Sequence, residues 1–346
     1  MNNTQTRPDR GPQMDAFLSR IGMAQAMRRM LAGDASFRRY ERVEHEGRAL
    51  VLMDAPPPWE DVRPFAAVTQ LLVQAQLSVP TILAADEAEG FLLLEDLGDA
   101  VFTRVLQAQP EQEGTFYAAA IDALVALQRE AKADALAAYD LPVYLREVAL
   151  LVEWFLPQVL GMDAARALRD DYLRRWQSVL EATPLKQSVL VHRDYHADNL
   201  LWLSSREAHR RVGMLDYQDA LRGDPAYDLV SLLEDARRDV DAATVRTCYA
   251  QFLAATGEDA AAFGQRYAVL GAQRNAKIIG IFTRLCVRDG KAHYLSYLPR
   301  VWAHFMADLA HPALAPIRSF VEAHVPPAWR GSFTPDMTRG GMACIA

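Results

Sequence analysis

The stretch Val189-Leu190-Val191-His192-Arg193-Asp194-Tyr195-His196-Ala197-Asp198-Asn199-Leu200-Leu201-Trp202-Leu203 sets two short apolar runs around a polar loop. Seventeen residues beyond Asn199, a third apolar run, Val212-Gly213-Met214-Leu215, ends in Asp216. Two strands joined by the polar turn 204–211 would return Asp216 to Asn199, so that Asp194, Asn199 and Asp216 share one oxygen-lined cleft. A magnesium ion is suited to such a place, because it takes hard oxygen ligands and keeps several waters. Each of these residues alone could equally be a turn former or a helix cap. A second chemistry is also open: His192, Asp194 and His196 alternate, and on an extended segment they could ligate zinc or iron. That reading leaves Asn199 and Asp216 without a task.

His-Arg-Asp followed after four residues by Asn has the spacing of a kinase catalytic loop. With Leu215-Asp216-Tyr217-Gln218-Asp219-Ala220 and Gly223-Asp224-Pro225-Ala226-Tyr227-Asp228-Leu229, the chain resembles the aminoglycoside phosphotransferase family of small-molecule kinases. Their fold is similar to that of protein kinases. The resemblance runs from about Gly33 to about Pro326, and within the family it is to the kinases that phosphorylate N-acetylmuramate and N-acetylglucosamine at C1. It implies an α+β, two-lobed, protein-kinase-like fold and a reaction of ATP with an amino sugar. Asp194 would then be the catalytic base, and Asn199 and Asp216 would hold Mg2+. His192 and Asp228 would brace the catalytic loop, although Asp228 could also be an ordinary helix cap. His196 and Asp198 would lie near the acceptor.

Upstream, the periodicity of Met14 to Leu31 predicts an opening helix. The small-residue turn Gly33-Asp34-Ala35-Ser36 before Phe37, Tyr40 and Val43 predicts a hairpin, where the resemblance places the nucleotide-positioning loop: Ser36, Phe37 and Arg38. Arg48–Asp54 reads as a strand. Protein kinases carry a phosphate-gripping lysine on their third strand, but Met53 stands about there, and the following helix, 65–77, carries no carboxylate. Arg38 and Arg39 are candidate replacements, and a kinase that binds nucleotide without transferring phosphate is the competing reading. A second hairpin, Val79–Asp86 and Phe91–Asp99, leads into a hinge whose Glu95, Asp96 and Leu97 would meet adenine.

The segment 101–181 is helical throughout by pattern, and Glu153 and Trp154 are candidate acceptor contacts. A helix is expected from Leu229 to Asp239. In the helix 263–287, Arg274, Lys277 and Arg284 fall on one stripe, either as snorkelling charges or as an anion site for a sugar carboxylate or for phosphate. A last amphipathic helix follows from His293 to Ala310. The expected division is an amino-terminal lobe 1–96, a helical lobe 97–330 and a loose tail 331–346.

Composition bounds the rest. The 346 residues are 51% hydrophobic and 23% charged, with net charge -7. That balance gives no basic field for nucleic acid. Three cysteines (Cys248, Cys286, Cys344) make neither a disulfide framework nor a zinc site. The polar start lacks a signal-peptide core, and no apolar run reaches membrane-helix length. The expectation is a cytoplasmic enzyme with small-molecule partners and no obligate protein partner. An aminoglycoside, choline or homoserine remains an alternative acceptor.

Overall fold

The computed structural model describes residues 9–33, 37–331, 333–336, 338 and 340. In chain order its main elements are α1 (Gly11–Arg20), β1 (Met27–Gly33), β2 (Arg39–His45), β3 (Arg48–Asp54), α2 (Arg63–Gln74), β4 (Ile82–Asp86), β5 (Phe91–Glu95) and α3 (Phe102–Ala108). Helices α4 (Glu113–Glu130), α5 (Leu141–Leu150), α6 (Leu156–Leu160) and α7 (Met162–Ala182) follow. Then come the short strands β6 (Val189–Val191), β7 (Leu200–Trp202), β8 (Val212–Met214) and β9 (Leu221–Gly223). The chain closes with α8 (Ala226–Leu233), α9 (Ala242–Thr256), α10 (Ala260–Val287), α11 (Leu298–Asp308) and α12 (Ala315–His324).

Two compact units result: Met1–Pro110 with Asp198–Ala220, and Glu111–Ala197 with Leu221–Ala346. This grouping differs from the expected break at residues 96 and 97, because the linker and the hairpin β7–β8 group with the amino-terminal sheet. The first unit holds an antiparallel sheet of order β1-β2-β3-β5-β4. Side chains alternate across a strand, and here each face has a task. Val43, Leu50, Leu52, Phe91 and Leu93 pack on Met14, Phe17 and Leu18 of α1, while Tyr40, Val51 and Leu94 face a cavity. The predicted helix Met14–Leu31 is corrected: α1 ends at Arg20, and Met27–Gly33 is strand β1, paired with β2 from Met27↔Glu44. Gly22, at φ +83°, provides the stop, a backbone state that glycine takes without strain. Pairing with β2 overrides the helical spacing that continued beyond it.

The second unit is mainly helical, with the strand pair β6–β9 in register Val189↔Gly223. Its central helix is α10, most of whose length is buried. Gly280 is required there: a Cβ would stand 2.3 Å from the Leu150 carbonyl carbon on α5. The helix expected over Leu229–Asp239 instead spans Ala226–Leu233. It starts early because Asp224 Oδ1 accepts from the Ala226 amide at 2.9 Å. The expected helix His293–Ala310 divides into a 3-10 segment, Ala292–Tyr297, and α11, which takes Pro299 in its first turn; proline is tolerated there and not in a helix interior. Described residues of the expected tail make contacts: Phe333 lies edge-on to Phe155 at 5.2 Å, and Gln158 Nε2 donates to the Gly340 carbonyl at 2.8 Å.

Candidate active site

In the first unit, a cavity of about 350 Å³ is lined by Leu31, Val51, Leu94, Leu201 and Leu215 among apolar residues, by the linker Glu95–Gly98, and by Asn199 and Asp216. The apolar residues would suit the faces of a flat heterocycle, and the linker offers backbone donors and acceptors to its edge. Hairpin pairing explains the polar end. Leu200 pairs with Met214, and the Leu215 amide donates to the Asn199 carbonyl at 2.9 Å. Asn199 and Asp216 therefore line one cavity although they stand 17 positions apart in the chain. Asp216 is exposed to solvent and sits at φ +61°, a left-handed state that aspartate tolerates better than most residues. Gln218 Nε2 donates to its Oδ1 at 2.8 Å. An amide oxygen and a hydrated carboxylate are the donors that magnesium accepts while keeping water, so the residues fit such an ion.

The linker is fastened by a residue that sequence reasoning missed. Arg42 on β2 shares the cavity-side face with Tyr40. Its Nε donates to Asp96 Oδ2 at 2.5 Å and its Nη1 to Asp99 Oδ2 at 2.8 Å. These hydrogen bonds to two carboxylates raise the Arg42 pKa despite burial. The Asp96 side chain is committed to this latch and to the Gly98 amide at 2.8 Å, which leaves its backbone for a ligand. Arg42→Ala, which strands the largely buried Asp96 carboxylate, should cost about 2–4 kcal/mol of stability. Arg42→Lys should recover only part, since one ammonium cannot fork across two carboxylates. Urea midpoints check both; an unchanged midpoint for the alanine variant would contradict the latch.

Ser36 lies outside the described residues. Phe37 and Arg38 are tied to Glu60: the Phe37 amide donates to Oε1 and Arg38 Nε to Oε2, each at 3.0 Å. Asp198 accepts from the Thr103 hydroxyl.

The second unit arranges Asp194 amid charge. Burial pushes its carboxyl pKa up, yet Lys277, His196, Arg274 and Arg193 outweigh burial and bring it down to about 2. Asp228 accepts from the His192 amide at 2.6 Å and the Arg193 amide at 2.9 Å, and its own carboxyl is raised to about 7, chiefly by burial. Its task in the structure is thus on the loop rather than at its own helix end, which Asp224 serves. His196 is buried; burial and the Arg237 guanidinium hold its imidazole well below the usual histidine range. Arg237 Nη1 stands 3.2 Å from His196 Nε2, which makes Nε2 the acceptor. His192, Asp194 and His196 do not form a metal-ligand set: among the described residues no group of three His, Cys, Asp or Glu could hold an ion.

Glu147 is the second residue that sequence reasoning passed over. Its carboxylate takes Arg193 Nη2 at 2.6 Å, Lys277 Nζ at 3.0 Å and Gln273 Nε2 at 2.9 Å, and accepts from the Tyr139 hydroxyl. Burial raises its pKa, but Lys277 and Arg193 lead the groups that bring it to about 2. Glu153 and Trp154, which the sequence singled out instead, do not join this cluster. Glu153 pairs with Arg169 at 3.0 Å, and Trp154 is buried at 2% exposure. The turn Leu151–Phe155 is π-helical, and the extra residue in such a turn shifts the phase of the helix. The stripe of three cations on α10 also divides. Lys277 and Arg274 act on Asp194, whereas Arg284, two turns on, has its pKa lowered by burial and by Arg288. Lys277 is occupied by Glu147 and, at 3.4 Å, by the Tyr227 hydroxyl.

Comparison with known proteins gives this arrangement a class. A model described as the phosphotransferase enzyme family matches residues 28–267. A protein of Caulobacter vibrioides named N-acetylmuramate/N-acetylglucosamine kinase is 36% identical over 90% of this chain and 95% of its own. One of the same name from Pseudomonas aeruginosa is 39% identical over 82% and 84%. Among solved structures, an ADP-bound aminoglycoside phosphotransferase superposes with a TM-score of 0.56 at 17% identity, covering 85% of this chain and 96% of that one; that is a likeness of fold. The chain belongs to the phosphotransferase enzyme family, with the kinase-like fold that its sequence motif implied. Among the described residues no helix is long and apolar enough to cross a membrane.

Proposed function

We propose that this chain is an ATP-dependent kinase that phosphorylates the anomeric hydroxyl of N-acetylmuramate and N-acetylglucosamine. The observation that carries the kinase chemistry is the cavity that sets Asn199 and Asp216 beside the linker Glu95–Gly98. The name shared by relatives that match most of the chain supports the acceptor.

In this reading Glu95, Asp96 and Leu97 present backbone to adenine, and the Phe37–Arg38 loop meets the phosphates. Asn199 and Asp216 are the residues that would hold Mg2+, which supplies charge neutralisation on the phosphates. Asp194 orients the sugar hydroxyl and takes its proton. A carboxylate held near 2 is a weak base, but phosphoryl transfer asks mainly for placement and the proton leaves late. An anomeric hydroxyl is more acidic than an ordinary alcohol, which lightens that demand further. His192 and Asp228 keep the loop that carries Asp194 in shape. Arg274, His196 and Asp198 are the acceptor-side residues of this reading, whereas the ion pairs of Glu153 and Lys277 turn them to structural tasks.

Incubation with ATP and Mg2+ against N-acetylmuramate, N-acetylglucosamine, glucose, kanamycin, choline and homoserine, read by phosphorus NMR, tests the proposal. A C1-phosphate on the N-acetyl sugars is expected. Product on kanamycin, choline or homoserine alone would replace the acceptor, and no product on any acceptor would remove the kinase reading.

A further inference from the structure

The structure assigns the phosphate-gripping role of the missing third-strand lysine to an ion pair outside the strands, Arg38–Glu60, next to the start of β2. The inference rests on reading the first-unit cavity as the nucleotide site. Strand register shows what stands in the usual place. Val51 lines the cavity, so Met53, two residues on, projects from the same face. Tyr40 pairs with Met53 and also lines the cavity. The place of the usual lysine is therefore filled by a thioether at 1% exposure, which has no charge to offer.

Three arginines stand on or next to β2, and their positions separate them. Arg39 is on the opposite face, 3.4 Å from Glu41 and 3.7 Å from Asp54. Arg42 is on the cavity face but closes the linker through Asp96 and Asp99. Arg38 immediately precedes β2, two residues from Tyr40 of the cavity lining. It hydrogen-bonds to Tyr40 and to Glu60, and its side chain is only 14% exposed.

Glu60 corresponds in chemistry to the helix glutamate that orients the lysine in protein kinases, but it comes from the segment between β3 and α2. Its two oxygens hold the Phe37 amide and Arg38 Nε, each at 3.0 Å. Phe37 stacks on Trp59 at 5.8 Å with 25° between the rings. The guanidinium is thereby fixed at its base, and a planar fork of donors can hold a carboxylate along one edge and a phosphate along another. This explains how α2 can lack a carboxylate altogether.

Calorimetry with adenosine and with ADP separates this pair from the rest of the site. Arg38→Met should weaken ADP binding about 10- to 100-fold, the size of one charge-assisted hydrogen-bonding group. Adenosine affinity should stay unchanged, which also reports that the cavity is intact. Glu60→Gln gives an opposed sign for the alternative. If Glu60 orients Arg38, ADP binding weakens; if Glu60 only holds Arg38 away from phosphate, ADP binding tightens and the inference fails. Equal losses for adenosine and ADP in Arg38→Met, or no loss for ADP, would overturn it as well. Wild-type protein binding neither ligand would overturn the nucleotide reading and the pair with it. No acceptor is used, so an error in the sugar assignment leaves this test untouched.

Discussion

Asp194→Asn should lower kcat by about 10²- to 10⁴-fold, the usual worth of a positioned general base, with no matching loss of nucleotide affinity. The amide keeps the shape of the carboxylate and can still direct a hydroxyl, but it accepts no proton. The neighbours of Asp194 sharpen the expectation. Lys277, His196, Arg274 and Arg193 hold its pKa at about 2 against burial. The wild-type carboxylate is then charged throughout the working range, and kcat/KM should show no acid limb from Asp194 between about pH 8 and pH 5. Its effect on stability has the sign of a depressed acid. The contribution is present above the ordinary value of 3.8 and is lost as pH falls towards 2. A folded Asp194→Asn enzyme with wild-type turnover in the phosphorus assay would remove Asp194 from the chemistry. An acid limb centred near pH 6 that vanished in Asp194→Asn would instead show a base tuned by different surroundings.

Sequence showed most where chemistry is local. The loop from His192 to Asn199 and the strand ending at Asp216 carry their spacing in one continuous stretch. The turn at 204–211 was polar enough to predict the hairpin, whose strands are Leu200–Trp202 and Val212–Met214. Arg48–Asp54 was legible as a strand because the short apolar run Ala49–Met53 sits between a charged start and a proline stop. What escaped depended on long-range partners. The Arg42 latch joins residues 54 and 57 apart, and nothing in the surroundings of Arg42 in sequence announces it. Glu147 stands among aliphatics, where a charge reads as a solvated face, and its partners Arg193, Gln273 and Lys277 are far from it in sequence. The opening helix was overextended because Met27 and Leu31 continue its spacing, while the stop at Gly22 is a backbone property. Met53 was a true departure from the kinase pattern, but the paired sheet was needed to show that Arg39 turns to Glu41 and Asp54 while Arg42 closes the linker.

Glu147→Ala should destabilise the protein by about 3–5 kcal/mol, the range for removing one partner of a buried ion pair. The reason lies in what is left behind. Glu147 is 7% exposed, and its carboxylate is shared by Arg193, which adjoins Asp194, and by Lys277 on α10. Without it, two cations face each other, and Arg193 already lowers the affinity of Lys277 for its proton. Lys277→Met should lessen the damage of Glu147→Ala, so that the double variant departs from additivity by about 1 kcal/mol or more. Protonation gives a second signature. The folded-state value near 2 lies below the ordinary 4.5, so wild-type protein holds this stabilisation above pH 4.5 and loses it as pH falls towards 2. The gap between wild type and Glu147→Ala should therefore be widest near neutrality and close in acid. Guanidinium unfolding at pH 7, 5 and 3 measures it; a gap that stayed constant, or one below about 1 kcal/mol at pH 7, would mean that Arg193 and Lys277 find other partners. Because Arg193 adjoins Asp194, the same variant should lose kcat even at temperatures where it remains folded, and Glu147→Gln, which keeps one acceptor oxygen but loses the other and the charge, should fall between wild type and Glu147→Ala.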